Sequence, residues 1–157
     1  MREKEVDGVT KKRFWRIALP VAVVLWTGFI WYQSLLSAAD SSVESGRVVR
    51  WLMGLVGWEN YPDWIPYAVR KAAHLTEFAL LGGLWCGTSR TYDRRRLWLW
   101  GMATGAVDEC LQFLAPGRAP MVTDVLLDAV GYLCGVGLVW FIAHLWGKKQ
   151  KECLHFV

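Results

Sequence analysis

Six residues have the chemistry of a polar site in surroundings unsuited to ordinary surface charges: His74 and Glu77, Asp108 and Glu109, Asp124 and Asp128. All lie inside or at the mouths of strongly apolar stretches. An ionisable side chain at the centre of a bilayer costs roughly 2.5 to 3.5 kcal/mol on insertion scales, so it is kept where it pairs, meets water or serves a site. His74 with Glu77 is an i, i+3 pair and Asp124 with Asp128 an i, i+4 pair, and both spacings share one helix face. Carboxylates and an imidazole converging from several helices can hold a divalent ion or move protons. Arg70, Lys71 and Arg118 flank them, and an arginine fork suits phosphate. Gln112 is a neutral partner at the same level, and no Ser or Cys stands out as a nucleophile.

Helices long enough to carry these residues across a membrane are evident. The 157 residues are 54% hydrophobic and include 11 Trp, with a mean hydropathy above zero, outside the usual range of a soluble domain. A hydrocarbon core about 30 Å thick takes about 20 apolar residues per helix. Four such stretches can be drawn, about 15–36, 67–88, 97–114 and 123–146, and they predict one all-α transmembrane domain over 1–157. The segment Ser37-Ala38-Ala39 resembles a signal-peptidase site. The apolar run before it, with Trp26, Trp31 and Tyr32, is longer than a signal core and is expected to stay as a span. Between the first two spans, Ser41-Ser42-Val43-Glu44 has the form of a capping box. It predicts a short extracytoplasmic helix from there to about Leu55, lying in the interface. Pro62 and Pro66 predict interrupted helix until the second span begins at Tyr67. Tryptophans and tyrosines at the span ends suit interfacial belts.

The net charge of +4 does not mark a nucleic-acid binder, because the basic residues are sorted by side. Thirteen of the 18 fall before the first span, between the second and third, or after the fourth; Arg47, Arg50, Arg70, Lys71 and Arg118 fall on the other side. Such an excess marks the cytoplasm, so both termini are expected inside and the polar cluster outside. Cys86, Cys110, Cys134 and Cys153 lack any C-x-x-C spacing, against a disulfide framework or a structural zinc site.

Each polar set shares a stripe with small residues: Gly101, Gly105, Asp108 and Gln112 on the third span, Asp124, Asp128, Gly131 and Gly135 on the fourth. Both stripes are expected to face the bundle interior, since small-x-x-x-small pairs let helices approach closely in lipid. At about 1.5 Å of rise per residue, His74, Asp108 and Asp128 lie on the order of 7 to 11 Å below the outer ends of their helices. Three cations, Arg70, Lys71 and Arg118, then meet five carboxylates. Protonation, a charged histidine, a metal ion or a cationic ligand can each close that deficit. The loop Pro116-Gly117-Arg118-Ala119-Pro120 is either a phosphate-binding corner beside a helix start or a tight turn whose Arg118 pairs with Glu109 or Asp124.

The set Arg70-Lys71-x-x-His74-x-x-Glu77-Phe78, Asp108-Glu109-x-x-Gln112-Phe113, Pro116-Gly117-Arg118, Asp124-x-x-x-Asp128 and Gly131-x-x-x-Gly135 resembles the VanZ-like family. The resemblance implies a multi-pass protein of the bacterial plasma membrane, linked in the founding case to lowered teicoplanin susceptibility. It does not supply a reaction. Family members often carry a histidine at the position of Leu111, so this chain has one imidazole fewer for a metal.

The expectation is a binding or modulating protein of the cell envelope. Its outward-facing cavity engages membrane lipid, either an anionic lipid or a lipid-linked cell-wall precursor, through Arg70, Lys71 and Arg118. His74, Glu77, Asp108, Glu109, Gln112, Asp124 and Asp128 set its protonation and tie the helices together. No cofactor is required. The alternative is a metal-dependent hydrolase or transferase acting on a lipid phosphate, with a divalent ion on His74, Glu77, Asp108 and Asp128, and Glu109 as a further catalytic candidate.

Overall fold

The computed structural model describes residues 2–58, 60–92, 94, 96–118 and 121–154, with side chains between 13 and 146. Arg95, Ala119 and Pro120 lie outside the described residues, as do the side chains of the basic residues at both ends and of Cys153. Five helices and no strand make up the described chain: α1 Arg2–Leu35, α2 Ala38–Val56, α3 Trp64–Thr91, α4 Trp98–Leu114 and α5 Val122–Leu154.

Two segments, Arg13–Leu35 in α1 and Val122–Trp146 in α5, are long and apolar enough to cross a membrane. The expected four reduce to two on that measure for a physical reason. The first half of α3 carries Arg70, Lys71, His74 and Glu77, and α4 has only 17 residues. Large apolar side chains such as Val24, Leu25, Leu126 and Phe141 stand exposed on α1 and α5, as they do where hydrocarbon rather than water is the solvent.

Helices α3 and α5 form the central pair, joined where glycines let backbones meet. A Cβ on Gly82 would strike the Tyr132 carbonyl, one on Gly131 the Leu75 carbonyl, and one on Gly135 the Ala79 carbonyl. Helix α1 packs across α3 and α4, and Ile30, Phe78, Leu81 and Tyr132 fill the core between them. The Tyr132 hydroxyl donates to the Trp98 carbonyl at the start of α4.

Two helix starts differ from expectation. Helix α2 begins at Ala38, capped by Ser37, whose hydroxyl accepts from the Asp40 N–H at 3.1 Å. Ser41 and Glu44 therefore lie inside the helix: Ser37-x-x-Asp40 offers the cap one turn earlier, with an acid in the first turn where the helix dipole favours it. Helix α3 begins at Trp64, so Pro66 sits in its first turn. The N–H that proline lacks has no intrahelical partner there, and the ring is tolerated.

Pro20, within α1, deprives the Arg16 carbonyl of its helical donor. The Tyr92 hydroxyl, at the end of α3, donates to that carbonyl at 2.6 Å, and the Arg16 guanidinium lies 5.4 Å from the centre of the Tyr92 ring. Tyr92→Phe is expected to cost about 1 kcal/mol of stability. In a Pro20→Ala background, where the helix supplies its own donor, that cost should shrink; an equal cost in both backgrounds in a thermal-unfolding cycle would refute the coupling.

Candidate functional site

The helical spacing that predicts interior stripes also brings their polar members together. Asp108 and Asp128 are 0% and 1% exposed, and Glu109 and Gln112 are buried beside them. His74 on α3 faces Asp128 on α5, with Nδ1 3.8 Å from Oδ1. One ligand atom each from His74, Asp108 and Asp128, on three different helices, lies within 4.8 Å of the others.

The two aspartates are held differently. Asp108 accepts from Ser34 Oγ at 2.5 Å and from Gln112 Nε2 at 3.0 Å, so both of its oxygens are engaged. Neither oxygen of Asp128 has a hydrogen-bond partner among the described residues, and the same holds for His74 Nδ1. Glu109 caps the start of α5, accepting the Met121 N–H at 3.2 Å. Lys71 pairs with Asp124 and lies 5.2 Å from the centre of the Tyr67 ring, so one of the three expected cations is already neutralised.

The loop is the tight turn expected, closed by the Arg118 N–H on the Ala115 carbonyl at 3.2 Å, but the Arg118 side chain pairs with neither Glu109 nor Asp124. Its Nη2 donates to the Gln33 carbonyl at 3.2 Å. That carbonyl is in the last turn of α1, where helix acceptors lack intrahelical donors. Gly117, at φ 75°, makes the turn that delivers the side chain, a backbone region glycine enters without steric penalty. Arg118 Nε and Nη1 are buried with no partner among the described residues. Burial, and then the charge of Arg70, push this guanidinium below its ordinary pKa, against the pull of Asp108, Glu109 and Glu77, as desolvation of a cation does.

Two neighbouring cavities, of about 440 and 190 Å³, adjoin these groups; Arg70, His74 and Arg118 line both, whereas Asp108, Glu109 and Asp128 lie behind them and line neither. Glu77 lines only the larger, outside the three-atom cluster; Lys71, Gln112 and Asp124 line only the smaller. Helix α2 walls the larger cavity with Glu44 and Arg47. A third hollow of about 710 Å³, at the other end of α3, is lined by apolar groups with Ser89 and Arg90 and holds none of the carboxylates. Convergent polar groups, rather than volume, therefore place the candidate site at the first two.

Sequence reasoning missed Ser34, Gln33, Glu44 and Arg47. A lone serine at the end of an apolar run has no periodic partner to mark it, and the Gln33 contact uses only its backbone. Arg47 reads as an interfacial charge until α2 is folded over the recess.

The sequence profile of the VanZ/LLP1 family matches residues 19–143. No curated protein and no solved structure matches the chain.

Proposed function

The chain belongs to the VanZ/LLP1 family, and from that premise we propose that this membrane protein binds the phosphate of an anionic lipid or a lipid-linked cell-wall precursor in its polar recess. In this reading α1, α3, α4 and α5 cross the bacterial plasma membrane with both termini in the cytoplasm, and α2 lies along the outer interface. Charges on α3 and a short α4 are compatible with spanning because they turn toward the bundle interior rather than lipid. The sorted basic residues set the orientation and bring the recess to the level of outer-leaflet headgroups.

The observation that carries the reading is Arg118: a buried guanidinium anchored by one nitrogen, with two donors unpaired, beside Arg70 on the same cavity walls. Burying donors unpaired is costly, and a phosphate supplies acceptors in the geometry an arginine fork fits. Arg47 extends the cationic wall, while Lys71 serves mainly to hold α3 to α5 through Asp124. A protein that sequesters a lipid-linked precursor would alter glycopeptide susceptibility, the phenotype the family resemblance implies.

Purified full-length protein in detergent should bind a labelled isoprenoid phosphate saturably, and the matching isoprenoid alcohol should fail to compete. The Arg70→Ala, Arg118→Ala double variant should lose that binding. Unchanged affinity in the double variant would overturn the reading.

A further inference from the structure

We propose that His74, Asp108 and Asp128 form a site for one divalent transition-metal ion at the floor of the recess. Two independent observations meet there. The three side chains come from separate helices and bring one ligand atom each to within 4.8 Å of one another. Asp128, 1% exposed, has neither oxygen hydrogen-bonded among the described residues, and His74 Nδ1, aimed at it, is equally unpartnered. A buried carboxylate without donors, facing a buried ring nitrogen without a partner, is costly unless a cation satisfies both.

Charge supports the assignment. With Lys71 committed to Asp124, Arg70 and Arg118 remain against Glu77, Asp108, Glu109 and Asp128, an excess of two negative charges that one divalent ion cancels.

The donor set identifies the class of ion. One imidazole nitrogen with two carboxylates suits Zn²⁺ or Mn²⁺, whereas Mg²⁺ and Ca²⁺ prefer oxygen throughout. Donors around a tetrahedral ion with bonds of about 2.0–2.2 Å sit roughly 3.4 Å apart. The 3.8 Å between His74 and Asp128, and separations of up to 4.8 Å within the cluster, would close to that by rotation of Asp128, which no hydrogen bond restrains among the described residues, and of His74 toward Asp108. Asp108 has its orientation fixed by Ser34 and Gln112, the supporting layer that metal-binding carboxylates ordinarily have. Three protein ligands leave a coordination position open. In the role that rests on the headgroup reading above, that position takes a phosphate oxygen while Arg70 and Arg118 hold the others.

The test keeps the two readings apart by omitting phosphate. Full-length protein, stripped with chelator, is loaded with Zn²⁺ or with Mn²⁺ in phosphate-free buffer, desalted and assayed for bound metal. One ion per chain is expected for the wild type and for His144→Gln, which removes an exposed imidazole elsewhere on α5. Asp128→Asn and His74→Gln should each reduce the stoichiometry at least tenfold. Ser34→Ala keeps all three ligands and should weaken affinity roughly 10- to 100-fold, which serves if either ligand variant fails to fold. A wild type that retains neither Zn²⁺ nor Mn²⁺ stoichiometrically, or full retention in Asp128→Asn, overturns the metal site and leaves isoprenoid-phosphate binding to be judged by its own assay.

Discussion

A single methyl group at position 135 should loosen the centre of the bundle: Gly135→Ala is expected to lose about 3 kcal/mol, the upper end of the usual range for overpacking. The reason lies in what the added carbon meets. At Gly135 it would strike the carbonyl of Ala79, and the Cα of that residue lies only 3.0 Å away. These are backbone atoms of a neighbouring helix, which cannot swing aside as the end of a side chain can. Relief requires α3 and α5 to move apart, and the contacts of Gly131 on Leu75 and Gly82 on Tyr132 loosen with them. Gly137, two residues on, has nothing within 4 Å of the same added carbon, so Gly137→Ala should leave stability within about 0.5 kcal/mol. Unfolding of the two variants in one detergent measures the difference. Equal stabilities would mean that α3 and α5 do not pack through this stripe. The consequence reaches the site, because His74 precedes Leu75 on α3 and Asp128 lies three residues before Gly131 on α5. A variant that parts the helices should therefore also weaken binding in the recess.

That stripe was legible in the sequence because helical periodicity is a local property. Spacings of three and four put Asp108 with Gly105 and Asp128 with Gly131 on one face whatever the rest of the chain does, and the common depth of His74, Asp108 and Asp128 followed from rise per residue alone. Features set by tertiary contact were not legible. Ser34 matters because α1 leans on α4 at that height, and nothing in an apolar run announces which of its hydroxyls will meet a polar neighbour. The start of α2 lies at Ser37 rather than Ser41 because two serines, each three residues before an acid, compete for one cap, and the Ala38 N–H bond to the Pro116 carbonyl at 3.1 Å favours the earlier choice. Arg118 was legible as a cation near the cluster but not as an unpaired one. Its freedom depends on Asp124 being taken by Lys71 and on Glu109 turning one oxygen to the Met121 amide, its other oxygen being left unpaired, and both arrangements are decided across the turn and the helix interface.

Arg118→Ala is expected to weaken isoprenoid-phosphate binding about 100-fold. Truncating one partner of a buried, charge-assisted pair costs about 2 to 5 kcal/mol, and about 2.8 kcal/mol corresponds to that factor at 25 °C. Arg118→Lys separates charge from geometry. A lysine keeps the positive charge but, as a compact ammonium on a flexible stem, cannot hold the Gln33 carbonyl with one nitrogen while offering two more donors in a plane. It should recover only part of the loss, leaving affinity about tenfold below wild type, worth about 1.4 kcal/mol. The fold should be little affected by either change, since the observed hydrogen bond of this side chain is to Gln33, and the charge lost beside Glu77, Asp108 and Glu109 is offset by relief of its own desolvation cost. Melting curves within about 1 kcal/mol of wild type, alongside a large loss of affinity, would separate a ligand-binding arginine from a structural one. If affinity in Arg118→Lys equals wild type, the fork is not what holds the phosphate, and Arg70 with the general positive field of the recess becomes sufficient.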